Sequence, residues 1–306
     1  MKYKVSKYFT SLLGSIIIML LLTACGPPPT DCPNTCISDN SMIIACDTRT
    51  TKPDEVDGAS IEPWSFIGAF YNGGDDPGHF CSGTLIADRF VLTAAHCLAN
   101  QLNNQLGFAL AQGWTGDRPY GTHGVSRVYI PGPYSTQDST ENNKAYDYAV
   151  AELSEPIEDA TPANWGYVPW ITLNESAAFT VGYPAAQPDG GLFGRPWRDI
   201  QTYHDNQPYK YLNGGESGLL YTYLDGTSGQ SGSPVYSHLS TENIVTGVLI
   251  GSTVPACQED QNWAARLTPG AVAHIENVID PQIINSWWDT TIIPFSPTTG
   301  PGEAWP

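Results

Sequence analysis

Basic residues are scarce in this chain: 13 Lys and Arg stand against 31 Asp and Glu, for a formal net charge of -18 and a pI of about 4.4. A surface of that sign repels phosphate backbones and anionic headgroups, which argues against nucleic acid as a partner and against electrostatic adsorption to a membrane. Charge of either sign is thin, at 14% of residues, whereas 30 glycines and 25 prolines interrupt the chain. Such a sequence breaks too often for long helices and suits short strands joined by turns, so an all-β domain is expected. Hydrophobic residues make up 41% of the 306, enough for a real core. There is no internal repeat. Nor is there a Cys-x-x-Cys pair, and a zinc set of Cys81, His96 and Cys97 would place two ligands side by side, which is awkward for a tetrahedral site; no metal is expected.

Long apolar runs are missing too, with one exception near the start. Lys2, Lys4 and Lys7 precede an apolar run from Phe9 to Leu22, shorter than the roughly 20 residues a span needs. A charged start and a short greasy centre make residues 1–24 an export signal. The run ends in Leu22-Thr23-Ala24-Cys25, which resembles the lipobox of bacterial lipoproteins. That resemblance implies cleavage before Cys25 and lipid on its thiol, the one expected link to a membrane. Cleavage after Ala24 without lipid is the alternative, so the expected location is the bacterial cell envelope or the exterior. With Cys25 set aside, Cys32, Cys36, Cys46, Cys81, Cys97 and Cys257 form an even set that suits disulfides in an oxidising compartment.

Residues 25–58 are rich in Pro, Thr, Asp and Cys without apolar periodicity, and read as a cross-linked tether or propeptide. A folded domain is expected over 59–290. Short apolar or alternating runs at Ser65–Tyr71, Gly83–Ile86, Phe90–Ala95, Val125–Ile130 and Tyr148–Leu153 predict a first barrel over about 60–160. A crossing stretch near Thr161–Trp170 leads to runs at Ala177–Val181, Leu219–Leu224, Pro234–Leu239, Ile244–Ile250 and Trp263–Leu267, a second barrel over about 165–268. Thr268-Pro269 then caps a helix over 269–281, with Val272, Ile275, Val278 and Ile279 at helical spacing. Residues 291–306 read as a disordered tail.

Three segments carry chemistry. In Gly229-Gln230-Ser231-Gly232-Ser233-Pro234, glycines beside a serine permit a tight turn that exposes its hydroxyl and turns the Gly229 and Ser231 amides toward one point. Taken alone, this is equally a surface turn. Val91-Leu92-Thr93-Ala94-Ala95-His96-Cys97 is a buried-strand pattern ending in a histidine, the side chain suited to taking and returning a proton near neutral pH. In Tyr146-Asp147-Tyr148-Ala149-Val150, an aspartate precedes a strand, where a carboxylate can orient an imidazole. The remaining histidines, His79, His123, His204, His238 and His274, lack such flanks and read as solvated or hydrogen-bonded surface residues. Asn72-Gly73-Gly74-Asp75-Asp76 reads as a hairpin turn before it reads as a calcium loop.

Phe80-Cys81-Ser82-Gly83-Thr84-Leu85-Ile86 followed by Leu92-Thr93-Ala94-Ala95-His96-Cys97 resembles the histidine region of the trypsin/chymotrypsin serine proteases. Pro63-Trp64 is similar to that family's entry into its first barrel, Asp147 to Val150 to its aspartate strand, and Gly229 to Pro234 to its serine turn. The resemblance implies two six-stranded antiparallel β-barrels with a C-terminal helix, a disulfide between Cys81 and Cys97, and a catalytic triad of His96, Asp147 and Ser231. It also implies an oxyanion hole from the Gly229 and Ser231 amides, polypeptide substrates, no cofactor, and a monomer. Thr180-Val181-Gly182-Tyr183-Pro184 is closer to the bacterial branch that includes glutamyl endopeptidases.

Two departures bear on activation and specificity. Gln230 stands where trypsins carry an aspartate, and a neutral amide forms no ion pair with a new N-terminus. Leu249 stands where glutamyl endopeptidases carry a pocket histidine, which disfavours Glu specificity. Asp225, six residues before Ser231, sits where trypsin has its pocket carboxylate, and with Leu249, Gly251 and Ser252 forms the expected specificity pocket. Trp263 or Ala264 replaces the glycine that keeps that pocket open, so an apolar or small preference competes with a basic one. The overall expectation is a serine endopeptidase, with a non-catalytic surface lipoprotein or a serine esterase as the alternatives.

Overall fold

Short runs of β-branched and aromatic residues between turn signals fold as strands once neighbours take up their backbone hydrogen bonds. In the computed structural model, the described residues are 50–51, 62–73, 79–101, 105–112, 118–173, 176, 178–184, 201–205, 218–222, 224, 226–239, 242–252, 262–281 and 290–294. In chain order the strands are β1 (Thr50–Thr51), β2 (Ile67–Gly73), β3 (His79–Ala87), β4 (Phe90–Thr93), β5 (Gln105–Leu110), β6 (His123–Pro131) and β7 (Ala149–Leu153). They continue with β8 (Ala178–Gly182), β9 (Gln201–Asp205), β10 (Leu219–Thr222), β11 (Pro234–Leu239), β12 (Glu242–Ser252), β13 (Asn262–Arg266) and β14 (Thr290–Pro294). The helices are α1 (Ala95–Leu98), α2 (Glu141–Lys144), α3 (Trp170–Leu173) and α4 (Pro269–Ile279).

The first sheet runs β14-β6-β5-β2-β3-β4-β7, and an additional β6–β7 pairing closes β2 to β7 into a six-stranded antiparallel barrel. The second runs β1-β9-β8-β11-β12-β13-β10. This is the all-β, chymotrypsin-like class expected from the sequence. Phe70, Leu85, Val91, Leu92, Phe108 and Val150, each no more than 1% exposed, lie in the larger core cluster. Val168, Leu173, Leu220, Val235 and Leu249 form a second cluster.

The crossing segment ties the two sheets together. The Ala163 amide donates to Leu85 O at 2.8 Å and the Trp165 indole to Ile86 O at 3.1 Å, both on β3. On the other side, the amides of Gly166 and Val245 donate to Val245 O and Asn164 O, at 3.1 and 2.9 Å. Tyr183, at the end of β8, adds a second tie: its hydroxyl donates toward Ile67 O and Gln112 O at 3.4 and 3.2 Å.

Some boundaries differ from expectation. Trp64–Phe66 makes a single 3₁₀ turn, so the first barrel strand starts at Ile67. The histidine strand stops at Thr93 because Ala95–Leu98 already turns as α1. Strands β5 and β9 lie in stretches where the sequence marks no strand, and β14 lies mostly in the stretch read as tail. Residues 291–306 are therefore not a wholly disordered tail, because Thr290–Pro294 pairs along β6 from Pro131 to Arg127. The segment expected to be a tether likewise contains β1, paired with Thr202 and Gln201 of β9. The final helix starts where its cap dictates, with Thr268 Oγ1 accepting from the Ala271 amide at 3.2 Å. It buries Ala271, His274, Ile275 and Val278, while Val272 and Ile279 are only partly buried.

Candidate active site

His96 sits on α1, one residue past the barrel-filling Ala94-Ala95 pair, and is half-buried. Asp147 ends the loop that enters β7 and is buried. Its two oxygens both serve His96: Oδ1 accepts from the His96 backbone amide at 2.8 Å, and Oδ2 meets Nδ1 at 2.8 Å. A carboxylate can satisfy both only if Nδ1 carries a proton, which leaves Nε2 with a free lone pair when the ring is neutral. The loop before Asp147 is fixed by Asn143. That side chain donates to Ser135 O at 2.8 Å and accepts from the Ser135 amide at 2.7 Å, and Thr140 caps α2. Tyr134 stands close by, its hydroxyl pKa raised by burial and then by the charge of Asp147.

Ser231 is half-buried at the tip of the glycine turn. Gly229 and Gly232 have φ of 90° and 87°, in the left-handed region, so a side chain at either position would be strained. Gln230 is wholly buried and uses Oε1 to accept from the Thr227 amide at 3.0 Å, so it holds its own turn together. The amides of Gln230, Gly232 and Ser233 donate to Thr227 O, Leu249 O and Gln230 O. Among the described residues, the amides of Gly229 and Ser231 make no backbone hydrogen bond.

The serine and histidine turns are fastened to one another. Ser231 O accepts from the Ser82 amide at 2.8 Å and lies 3.8 Å from Cys97 Sγ, next to His96. A Cβ on Gly232 would strike Ser82 O and Thr93 Oγ1 and come within 3.2 Å of Ala94 N. Cys81 and Cys97 are disulfide-bonded, with Cα atoms 6.2 Å apart, as the resemblance implied. The ligand atoms of Cys81, His96 and Cys97 do lie within 4.8 Å of one another, but both sulfurs are committed to the disulfide and offer no thiolate.

The specificity expectations fare unevenly. Leu249 is fully buried in the second core cluster, so its side chain is packing material and not a pocket wall. Its backbone carbonyl and amide are also used, by Gly232 N and Ser233 O. Gly251 is half-buried, and a Cβ built there meets nothing within 4 Å, so open space lies beside it. Ser252 pairs in register with Asn262, and Gly251 with Trp263. Trp263 is buried, its ring under the Lys144 ammonium at 3.1 Å, and Ala264 is core. Asn262, missed by the sequence reading, is fully buried and donates to Leu224 O at 2.6 Å.

Two histidines read as surface residues are core residues instead. His79 Nε2 lies 2.8 Å from Tyr183 O, and His274 lies between the Tyr148 hydroxyl at 3.2 Å and Thr290 Oγ1 at 3.1 Å. Burial lowers the pKa of each to about 4. His123 is partly buried against Tyr120 O at 2.8 Å. Cys25, Cys32, Cys36, Cys46, Cys257, Asp225 and Gly74 to Asp76 lie outside the described residues, as do the side chains of His204, His238 and Ser252.

Comparison with known proteins agrees with this fold. The trypsin family model matches residues 55–275. Among curated sequences, serine protease 23 of Bos taurus is 26% identical over 230 residues, covering 64% of this chain and 56% of the relative. The Homo sapiens protein of the same name is 25% identical over 231 residues, covering 64% of this chain and 55% of the relative. The chain thus spans about half the length of the curated relatives it matches. Among solved structures, a Glu endopeptidase in complex with MPD superposes with a TM-score of 0.59 at 21% identity, over 77% of this chain and 98% of that one. The protease Anisep from Arthrobacter nicotinovorans gives 0.50 at 19%, over 72% and 96%. At those identities the structures speak for the fold.

Proposed function

The chain belongs to the trypsin family, and we propose that it is an exported serine endopeptidase in which Ser231 is the nucleophile, His96 the general base and Asp147 the residue that orients it. The observation that carries this reading is the double grip of Asp147 on His96, through the ring nitrogen and the backbone amide. It fixes the tautomer that can accept a proton. His96 Nε2 takes the Ser231 proton as Oγ attacks a peptide carbonyl, and Asp147 stabilises the imidazolium. The Gly229 and Ser231 amides receive the oxyanion, and His96 returns the proton to the leaving amine, whose C–N bond breaks. Water repeats the sequence on the acyl-enzyme and restores Ser231.

An extended peptide would pair with a stretch of β12 that is left without a second strand neighbour among the described residues. Past Val248, β12 has no register partner on β11; Ile250 lies at a bulge, Gly251 and Ser252 pair only with β13 among the described residues, and open space lies beside Gly251. The serine turn already occupies both backbone groups of Leu249, so the pairing edge begins after that residue. In this reading Cys25 carries a lipid anchor to the cell envelope, with secretion after cleavage at Ala24 as the alternative, and the substrate is a polypeptide.

The test is a fluorophosphonate probe on the disulfide-bonded full chain, with Ser231→Ala as control and the adduct located by mass spectrometry. A single adduct on Ser231, absent from the variant, is expected. A wild-type chain that stays unlabelled overturns the enzyme reading and leaves a binding module on a protease fold.

A further inference from the structure

Ser82 touches the serine turn on both sides of Ser231. Its backbone amide donates to Ser231 O at 2.8 Å, and its hydroxyl donates to Gly229 O at 2.9 Å. The same hydroxyl accepts from the Tyr183 amide at 2.8 Å, so both its donor and an acceptor site are used. Its carbonyl accepts from Thr93 Oγ1 at 2.7 Å, at the end of the strand that delivers His96. Ser82 and Thr93 are both wholly buried. One residue thus connects the strand before the histidine, the end of β8 and the glycine turn.

We propose that Ser82 is a positioning residue for acyl transfer, its hydroxyl holding the Gly229 carbonyl so that the Gly229 and Ser231 amides stay aimed at one point. This rests on the endopeptidase reading above. Gly229 has φ of 90°, where glycine has little steric preference of its own, so the orientation of its peptide groups must come from partners. Gln230 fixes the turn from the Thr227 side through its side chain, and Gly232 fixes it through Leu249 O. Gly229 O is held by the Ser82 hydroxyl. Without that bond, the Gly229–Gln230 peptide, which lies between the two peptides that carry the Gly229 and Ser231 amides, keeps the Gln230 amide's bond to Thr227 O but loses its second tether, so the two donors are presented less rigidly while Ser231 keeps its backbone anchor. The loss falls on the transition state, where the oxyanion exists, and spares the ground state.

The test uses the full chain with Ser82→Ala and Ser82→Cys, the latter keeping an acceptor and a weak donor. The fluorophosphonate labelling rate, the hydrolysis of p-nitrophenyl acetate and the melting midpoint are measured on each. Ser82→Ala is expected to label about 10- to 100-fold more slowly and to lose kcat by a similar factor, with KM within about twofold and the midpoint of its pH–rate profile unmoved. Ser82→Cys falls between Ser82→Ala and wild type. A wild-type chain that labels beside a Ser82→Ala variant that labels within about twofold of it overturns the proposal but leaves the endopeptidase reading standing. An unlabelled wild type overturns both. If Ser82→Ala has no cooperative melt, the folded Ser82→Cys decides: slowed labelling supports the proposal, and the wild-type rate overturns it.

Discussion

Asp147 has two oxygens and spends both on one residue, which makes Asp147→Asn a sharp probe. An amide has one oxygen, and the His96 backbone N–H needs an acceptor, so Oδ1 remains facing it and the amide nitrogen takes the place of Oδ2 opposite Nδ1. Two N–H groups cannot face each other. The ring must shift its proton to Nε2, the nitrogen that accepts from Ser231 in the proposed mechanism. The variant is expected to keep its fold and to label with fluorophosphonate about 10³- to 10⁴-fold more slowly, read as a second-order rate beside an unchanged circular-dichroism melt. A loss below about tenfold would mean that Asp147 does not set the tautomer. At this scale the sequence was legible wherever chemistry restricts residue type. A base and an orienting acid need particular neighbours, and His96 and Asp147, which meet at 2.8 Å, displayed them; the nucleophile's role for Ser231 belongs to the proposal. Ser82 displayed nothing, because its hydroxyl finds its partners 101 and 147 positions away.

Among the elements, the C-terminal ones matter more than their composition indicated. His274 on α4 lies against the Tyr148 hydroxyl, one residue past Asp147, and against Thr290 on β14. A neutral imidazole has one N–H and one lone pair, so one hydroxyl must donate to it and the other accept from it. The two bonds are therefore coupled through the ring's tautomer. Tyr148→Phe and Thr290→Val are each expected to destabilise by about 1 kcal/mol in urea titrations, with the double variant falling short of the sum by about 0.5 kcal/mol or more. Strict additivity would show that the ring does not link them. The missed strands share a cause. Every residue of β5 from Leu106 to Leu110 is buried, so it has no alternation to read; β9 is the polar run Gln-Thr-Tyr-His-Asp; and β14 buries Ile293 alone. Each is a strand because a neighbouring ladder accepts it. β11 and α4 declared themselves, the first by its bounding turns and the second by its cap.

Across the whole molecule, two buried neutral histidines join parts distant in sequence: His79 meets Tyr183, and His274 meets Tyr148 and Thr290. Burial holds both near pKa 4, below the ordinary 6.5. The unfolded chain takes up these protons as pH falls through about 6.5, whereas the folded chain refuses them until about 4. Between those values the unfolded state binds more protons, so stability rises with pH in that window and is lost on acidification, by up to about 3 kcal/mol per histidine. The 31 acidic residues against 13 basic ones act in the opposite sense, since protonating crowded carboxylates relieves repulsion in the compact state. Carboxylates titrate near pH 4, however, so from about 6.5 down to about 5 the histidines prevail. Urea midpoints taken across that range are expected to fall with pH in the wild type. His79→Gln and His274→Gln keep polar groups at these sites but cannot titrate, so each should remove about half of the slope and the double variant nearly all of it, whatever the absolute stabilities. A wild-type midpoint that stays level or rises on acidification would show that the acidic surface outweighs both histidines.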